Sequence, residues 1–192
     1  PWMTTPLDVL SFWFADGPDT FREAWFKRDD AFDAEIRDRF GGLSAAAGVD
    51  ALASWRETSA GVLALAILLD QFPRNLHRGR AEAFAADPIM RDIARDAVLA
   101  RRIDLGLTAT QRVFLYLPFE HSEAMADQDL SVALFEGLRD DPRMARPDGT
   151  IDYAWRHRAV IARFGRFPHR NAALGRESTA AEQAWLKAGG GF

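Results

Sequence analysis

Residues 59–72 read SAGVLALAILLDQF. The run is apolar on all sides until Asp70, which is the pattern of a helix buried on every face, and it predicts the central helix of the molecule. Its unbroken apolar part, Val62 to Leu69, is eight residues long, far short of the roughly 20 that a membrane span needs. The chain is therefore expected to be soluble.

Helix signals continue on both sides of this segment. Thr5 followed by Pro6 reads as an N-cap with proline at the first helical position, and LDVLSFWF follows at helical spacing. Residues 19–40 place Phe21, Trp25, Phe32, Ile36 and Phe40 near one stripe, which predicts a single helix ended by Gly41 and Gly42. Asp87 with Pro88 predicts another start, carrying Ile89, Ile93, Ala97 and Val98. Residues 108–123 begin at a threonine cap, and Pro118 is expected to kink that helix or open a second one. Residues 130–138 and 151–164 keep the helical pattern, the RPDG turn at 146–149 precedes the latter, and Thr179 with Glu182 reads as a capping box. No convincing alternating strand appears. The expectation is an all-α fold of roughly eight to ten helices, an α-α superhelix or an irregular bundle, forming one domain over residues 4–192. Pro1 and Trp2 ahead of Met3 read as a leftover of cloning.

Composition narrows the function classes. The chain has no cysteine, which removes disulfide frameworks, thiol catalysis and cysteine metal sites, and fits a cytoplasmic location. A net charge of −4 argues against a nucleic-acid binder. Lys27 and Lys187 are the only lysines among 24 basic residues, so arginine abundance alone means little.

The distribution of charge means more. From Tyr153 to Arg176 there are arginines at 156, 158, 163, 166, 170 and 176, histidines at 157 and 169, and no acid. From Val113 to Leu138 there are Glu120, Glu123, Asp127, Asp129 and Glu136, and no lysine or arginine. If the two segments pack together, Glu120 or Glu123 can accept bidentate hydrogen bonds from Arg166 or Arg170 as a structural ion network. If donors outnumber carboxylates, the surplus guanidinium groups suit a carboxylate or phosphate.

Two short motifs echo one another. LDQFPRNLHRG (69–79) and GRFPHRNAALGR (165–176) both run from a helix end through Phe-Pro into arginine and asparagine. Proline should end each helix and project the following polar side chains from a fixed corner. Asn75 and Asn171 read as caps first and ligand contacts second. In PFEHSE (118–123), Glu120 and Glu123 stand three apart and would share a helix face beside His121, a set able to supply general acid and base groups. His157 falls on an apolar stripe with Ile161 and Phe164, where a hydrogen-bonded core histidine is the favoured role.

Other chemistries find little support. There is no Glu-x-x-His or His-Glu-x-x-His, so no metal is expected, and no phosphate loop or dinucleotide fingerprint, so no cofactor is expected. No Gly-x-Ser-x-Gly elbow accompanies Ser122. Stacking of single-stranded RNA on Phe164 and Phe167 is disfavoured by the overall charge.

The strings FWF (12–14), LLDQFPRNLHRG (68–79), FLYLPFEHSE (114–123) and RFGRFPHRNAALGR (163–176) resemble, in this order and spacing, the DUF924 family of uncharacterised bacterial proteins, from about Leu7 to Leu186. The resemblance implies an all-helical fold similar to tetratricopeptide-like superhelices, and it carries over no catalytic residue.

Two functional expectations follow. In the first, Asp70, Arg74, Glu120, His121, Glu123, Arg166, His169 and Arg170 converge on a polar cleft for a small anionic or zwitterionic molecule. Arg74, Arg166 and Arg170 hold the anion, with Asn75 and Asn171 as further contacts; Glu120 and Glu123 orient arginines or bind an amine. His121 or His169 moves protons near neutral pH, so that acid-base chemistry is the favoured class for an enzyme. In the second, a helical-repeat scaffold binds a peptide or protein partner, and the charged motifs are internal struts.

Overall fold

The computed structural model describes residues 4–46 and 50–192, so Pro1 and Trp2 lie outside the described residues. It contains ten α-helices and no strand among those residues. The all-α expectation holds. By contact the chain divides into two compact units, one formed by residues up to 78 with 82–118 and the other by 79–81 with 119–192.

The first unit opens with α1 (Pro6–Trp13), where Thr5 Oγ1 accepts the Asp8 N–H and Asp8 Oδ2 in turn accepts the Thr5 N–H. The stripe over residues 19–40 is split. Glu23–Trp25 forms a 3-10 turn, and α2 (Asp30–Ala46) starts only after Asp29, whose Oδ1 accepts the N–H groups of Ala31 and Phe32. Asp29 therefore acts as a cap in the middle of a continuous hydrophobic pattern. Nor does α2 stop at Gly41 and Gly42; it runs through both, since glycine inside a helix costs only about 1 kcal/mol.

The central segment is buried as expected. In α3 (Ser59–Ala66), capped by Thr58, and in the π-helical turn Ile67–Gln71 that follows, every residue from Gly61 to Gln71 is buried. The helix then continues without a break as α4 (Phe72–Leu76). The first Phe-Pro corner is thus not a helix break. The π turn bonds five residues back, Phe72 N–H to Ile67 O, which offsets the backbone and removes the usual clash of a proline ring with the carbonyl four residues before. Around this axis Trp13 stacks on Trp25 with centroids 5.8 Å apart and meets Phe114 edge-on at 5.5 Å, while Phe40 stacks on Phe72 at 5.1 Å. Burial of rings of this size contributes about 2–3 kcal/mol each. α5 (Asp87–Arg95) packs on α3, and α6 (Ala109–Glu120) passes through Pro118 as one helix.

The boundary between the units falls within α6, after Pro118. In the second unit α7 (Met125–Glu136) packs along α9 (Thr150–Phe164), with α8 (Pro142–Ala145) against α9. Val160, Ile161 and Phe167 form a core with Met125, Phe164 and Trp185. Gly165, at φ +72°, ends α9. The second Phe-Pro is a true corner: Phe167 is extended, and Pro168–Arg170 makes a 3-10 turn. Thr179 and Glu182 form the expected capping box of α10 (Ala180–Lys187).

Candidate functional site

In the first unit Asp70 and Arg74 belong to a buried ion network. Arg74 Nη1 and Nη2 donate to the two oxygens of Asp87 at 2.8 Å each, and Nη1 also donates to the Asp70 carbonyl at 2.9 Å. Burial would lower the Arg74 pKa, but Asp70 and Asp87 outweigh it and hold the guanidinium charged. Asn75 does not cap a helix. Its Nδ2 donates at 2.8 Å to Asp33, which also takes two hydrogen bonds from Arg78.

The remaining predicted residues lie in the second unit, beginning at the end of α6. Gln128 is fully buried and donates through Nε2 to the carbonyls of Glu120 and Ser122 at 2.7 Å each. This holds the chain in a turn directly after Glu120. Glu120 and Glu123 consequently do not share a helix face and take different partners.

Glu123 accepts Arg176 Nη1 and Nη2 at 2.8 and 2.9 Å, and the Phe167 N–H at 2.8 Å. Burial pushes its pKa up, yet the Arg176 and Phe167 hydrogen bonds pull harder, so it stays below the usual carboxylate range. Arg166 makes its own fork on Glu182, at 3.1 Å from Nε and 2.9 Å from Nη2. Those bonds, with further ones from Asn171 and Thr179, hold the Glu182 carboxyl at about 2. Asn171 joins the two pairs: Nδ2 donates to Glu182 at 2.8 Å, while Oδ1 accepts Arg176 Nε at 2.9 Å. Arg170 lies over the Phe167 ring, 4.6 Å from its centroid, and donates to the His121 carbonyl at 2.9 Å. The ion network is real, but its partners are Glu123 with Arg176 and Glu182 with Arg166.

What the arginines do not occupy is a histidine cluster. His157 on α9 is buried, and its Nδ1 lies 2.7 Å from the Tyr153 carbonyl and 2.9 Å from Glu120 Oε1. A carbonyl can only accept, so Nδ1 carries the proton and the lone pair of the neutral ring sits on Nε2. The His121 ring is 6.3 Å from that of His157. Phe192 stacks on His157 at 3.6 Å and meets His169 edge-on at 5.6 Å. Two buried polar atoms in this cluster, Glu120 Oε2 and His169 Nδ1, have no hydrogen-bond partner among the described residues. Burial, followed by the neighbouring Arg170 charge and the nearby His157, pulls the His169 pKa down to about 4, so its ring is neutral at pH 7. No group of three or more histidine, aspartate or glutamate side chains among the described residues is arranged to hold a metal ion.

The family profile described as "Bacterial protein of unknown function (DUF924)" matches residues 9–190. The chain belongs to the DUF924 family. A solved structure of a protein of unknown function from Agrobacterium tumefaciens is similar to it, with 40% sequence identity and a TM-score of 0.83 over 95% of this chain and 97% of that one. No curated protein matches the sequence.

Within this DUF924 chain the structure brings together Glu120, His121 and His157, and separately Glu123, Arg166, Arg170 and Asn171 with Arg176 and Glu182. Four participants lie outside the residues expected from the sequence: His157, Arg176, Glu182 and Phe192. His157 was placed in the core, which its burial matches, but its partner Glu120 could not be read from a stripe. Glu182 was seen only as a cap. Phe192 carried no signal beyond the three glycines before it.

Proposed function

We propose that the second unit holds a small-molecule site centred on His157 and Glu120, suited to acid-base chemistry, in a protein that works in the cytoplasm. The observation that carries this reading is the pair of unsatisfied buried atoms, Glu120 Oε2 and His169 Nδ1, beside a histidine already oriented by a carboxylate. Leaving a buried polar atom without a partner costs about 1–3 kcal/mol, more for a charged group, and a ligand that hydrogen-bonds to both atoms would remove that cost.

In this reading Glu120 fixes the His157 ring with the proton on Nδ1, and Nε2 is the atom that gives or takes the proton. Glu120 Oε2 receives a donor from the ligand, which favours a zwitterionic or amine-bearing molecule over a purely anionic one. His169, neutral at pH 7, offers a second hydrogen-bonding position, and His121 borders the cluster. Arg166 and Arg170, with the residues around Asn171, hold the surrounding corner rigid; Asp70, Arg74 and Asn75 do the same for the first unit. Rigid support of this kind is what a preorganised site requires.

The competing reading is a tetratricopeptide-like scaffold for a peptide or protein partner, with the charges as struts. It is favoured by the bidentate pairing of Arg74, Arg166 and Arg176, which takes up donors an anion would otherwise meet.

A thermal-shift screen of small amines, amino acids and carboxylates separates the two. A true ligand at 100 times its Kd adds about 2.7 kcal/mol of stability. Wild type should respond to at least one compound, and Glu120→Gln and His157→Asn should fold but lose the response. Silence across the screen, or an equal response in both variants, would overturn the site.

A further inference from the structure

The ring that covers His157 belongs to a segment with an unusual path. Helix α10 ends in a glycine cap: Gly189, at φ +86°, donates to Leu186 O at 3.1 Å, and Gly190 donates to Trp185 O at 2.9 Å. This pairing turns the chain back across the helix end. Gly190 then passes so close to the Trp185 ring that a Cβ there would lie 2.2 Å from Cδ2, and Gly191 follows at φ +139° beside His169. Three consecutive glycines are thus used for two left-handed residues and one contact no side chain could fit. Their combined effect is to deliver Phe192 onto His157.

The geometry at the far end is that of a ring in a ring-shaped seat. Phe192 lies parallel to His157, within 14° and at 3.6 Å, and stands edge-on to Phe167 at 88° and to His169 at 76°. The two edge contacts are arrangements that aromatic quadrupoles prefer, whereas the parallel contact is nearly face to face and is held by dispersion and shape. The ring is nevertheless half exposed, whereas Phe167 beneath the cluster is fully buried. Phe192 is therefore held by shape and stacking and not locked into a core, on a tether whose glycines cost little to rearrange.

Resting on the site reading above, we infer that Phe192 is an internal competitor, seated where a planar aromatic or heteroaromatic ring of the ligand stacks on His157, and that Gly189–Phe192 swings aside when that ligand binds. The ligand class is thereby a small molecule combining a flat ring with an N–H or O–H donor for Glu120. The tether makes the competitor strong for its size, because a short flexible link holds the ring at an effective concentration in the millimolar range or above. Apparent affinity for the outside ligand is reduced by the fraction of time the seat is open, so a seat that is open about one-tenth of the time weakens binding about tenfold.

The test uses the full chain and two probes, benzimidazole, which is flat and carries an N–H donor, and cyclohexylamine, which carries a donor but no flat ring. Binding is followed through the histidine ring signals by NMR, with those of His157 assigned from His157→Asn. Phe192→Ala removes the competitor. Gly190→Ala lifts the tether from Trp185 with the ring intact, and Phe192→Trp keeps an aromatic cover. Phe192→Ala and Gly190→Ala should each bind benzimidazole about tenfold more tightly than wild type, Phe192→Trp should not, and cyclohexylamine should gain nothing. Without ligand, Phe192→Ala should also remove the ring-current shift from the His157 protons. Equal benzimidazole affinity in wild type, Phe192→Ala and Gly190→Ala, an equal gain for cyclohexylamine, or no benzimidazole binding to any of the proteins would overturn the inference. Benzimidazole binding that survives His157→Asn sinks the site reading as well, whereas a screening hit lost in His157→Asn but unaffected by Phe192→Ala sinks the competitor alone.

Discussion

Arg176 and Glu123, 53 residues apart, meet through two parallel hydrogen bonds of 2.8 and 2.9 Å, and Arg176 also donates to the Phe167 carbonyl at 3.1 Å. The carboxylate in turn accepts the Phe167 N–H. The pair therefore grips both backbone groups of the residue before Pro168 and defines the corner from which His169 and Arg170 project.

Arg176→Ala should release that grip. Charge-assisted hydrogen bonds in partly buried positions contribute about 1.5–3 kcal/mol, and Arg176→Ala should cost about 2 kcal/mol. For a chain of this size that is a fall in Tm of about 4–8 °C. Arg176→Lys should recover only part of it, because an ammonium cannot reproduce the fork. A double-mutant cycle with Glu123→Gln should give coupling above 0.5 kcal/mol in the same range as neighbouring residues show, about 0.5–3 kcal/mol. Additivity would mean that the two side chains do not act as a pair.

Stability should fall with acidification in two separable steps. His169 has its pKa depressed from 6.5 to about 4 by burial and by Arg170 and His157, with Glu123 opposing and His121 adding to the depression. As pH drops through 6.5 the unfolded chain takes up a proton at this position and the folded chain does not, so stability declines between pH 6.5 and about 4. The carboxylates act lower. Glu182, held at about 2 against 4.5, contributes stability that is complete above pH 4.5 and is lost as pH falls toward 2, and Glu123 shifts in the same direction. Denaturant midpoints measured from pH 7 to 4.5 should show the first step in wild type and a flatter profile in His169→Asn. An unchanged profile would mean that His169 titrates normally.

These pairings show where legibility in the sequence stopped. The run at 59–72 announced a helix buried all round, and the caps at Thr5 and Thr179 were readable because capping is local, a matter of three or four residues. Asp29 was overlooked because its capping role interrupts a hydrophobic stripe that continues on both sides of it. The two Phe-Pro motifs read alike and fold differently, since the π turn before Phe72 absorbs one proline while Gly165 has already ended the helix before the other. In the candidate site, the presence of complementary charge was visible in the segments 113–138 and 153–176. Which arginine meets which glutamate was not, because it is set by how α7 lies along α9 and by the turn that Gln128 imposes after Glu120.

Gln128 makes that last dependence testable. Gln128→Leu keeps approximate volume but leaves the carbonyls of Glu120 and Ser122 without their donor in a fully buried setting. Each unsatisfied carbonyl costs about 1–3 kcal/mol, and a loss of about 3 kcal/mol overall is the expected result in equilibrium unfolding. The His157 ring signals should move as well, since Glu120 would no longer be held against Nδ1. A stable variant with unchanged His157 signals would show that Glu120 is positioned by something else.

Glu182 is where the capping and charge roles can be pulled apart. Its oxygens accept the Thr179 N–H as part of the α10 capping box and, at the same time, the fork of Arg166 and one bond from Asn171 Nδ2. Thr179→Ala removes the cap alone and should cost about 1 kcal/mol. Glu182→Gln keeps an acceptor for the cap but loses the charge that Arg166 needs, and Glu182→Ala loses both. Tm should therefore fall in the order Thr179→Ala, then Glu182→Gln, then Glu182→Ala as the largest drop, with high salt narrowing the gap between wild type and Glu182→Gln only slightly because Glu182 is buried and poorly screened. If Glu182→Gln is as stable as wild type, the Arg166 fork contributes nothing net to the fold and serves only to hold Arg166 in place.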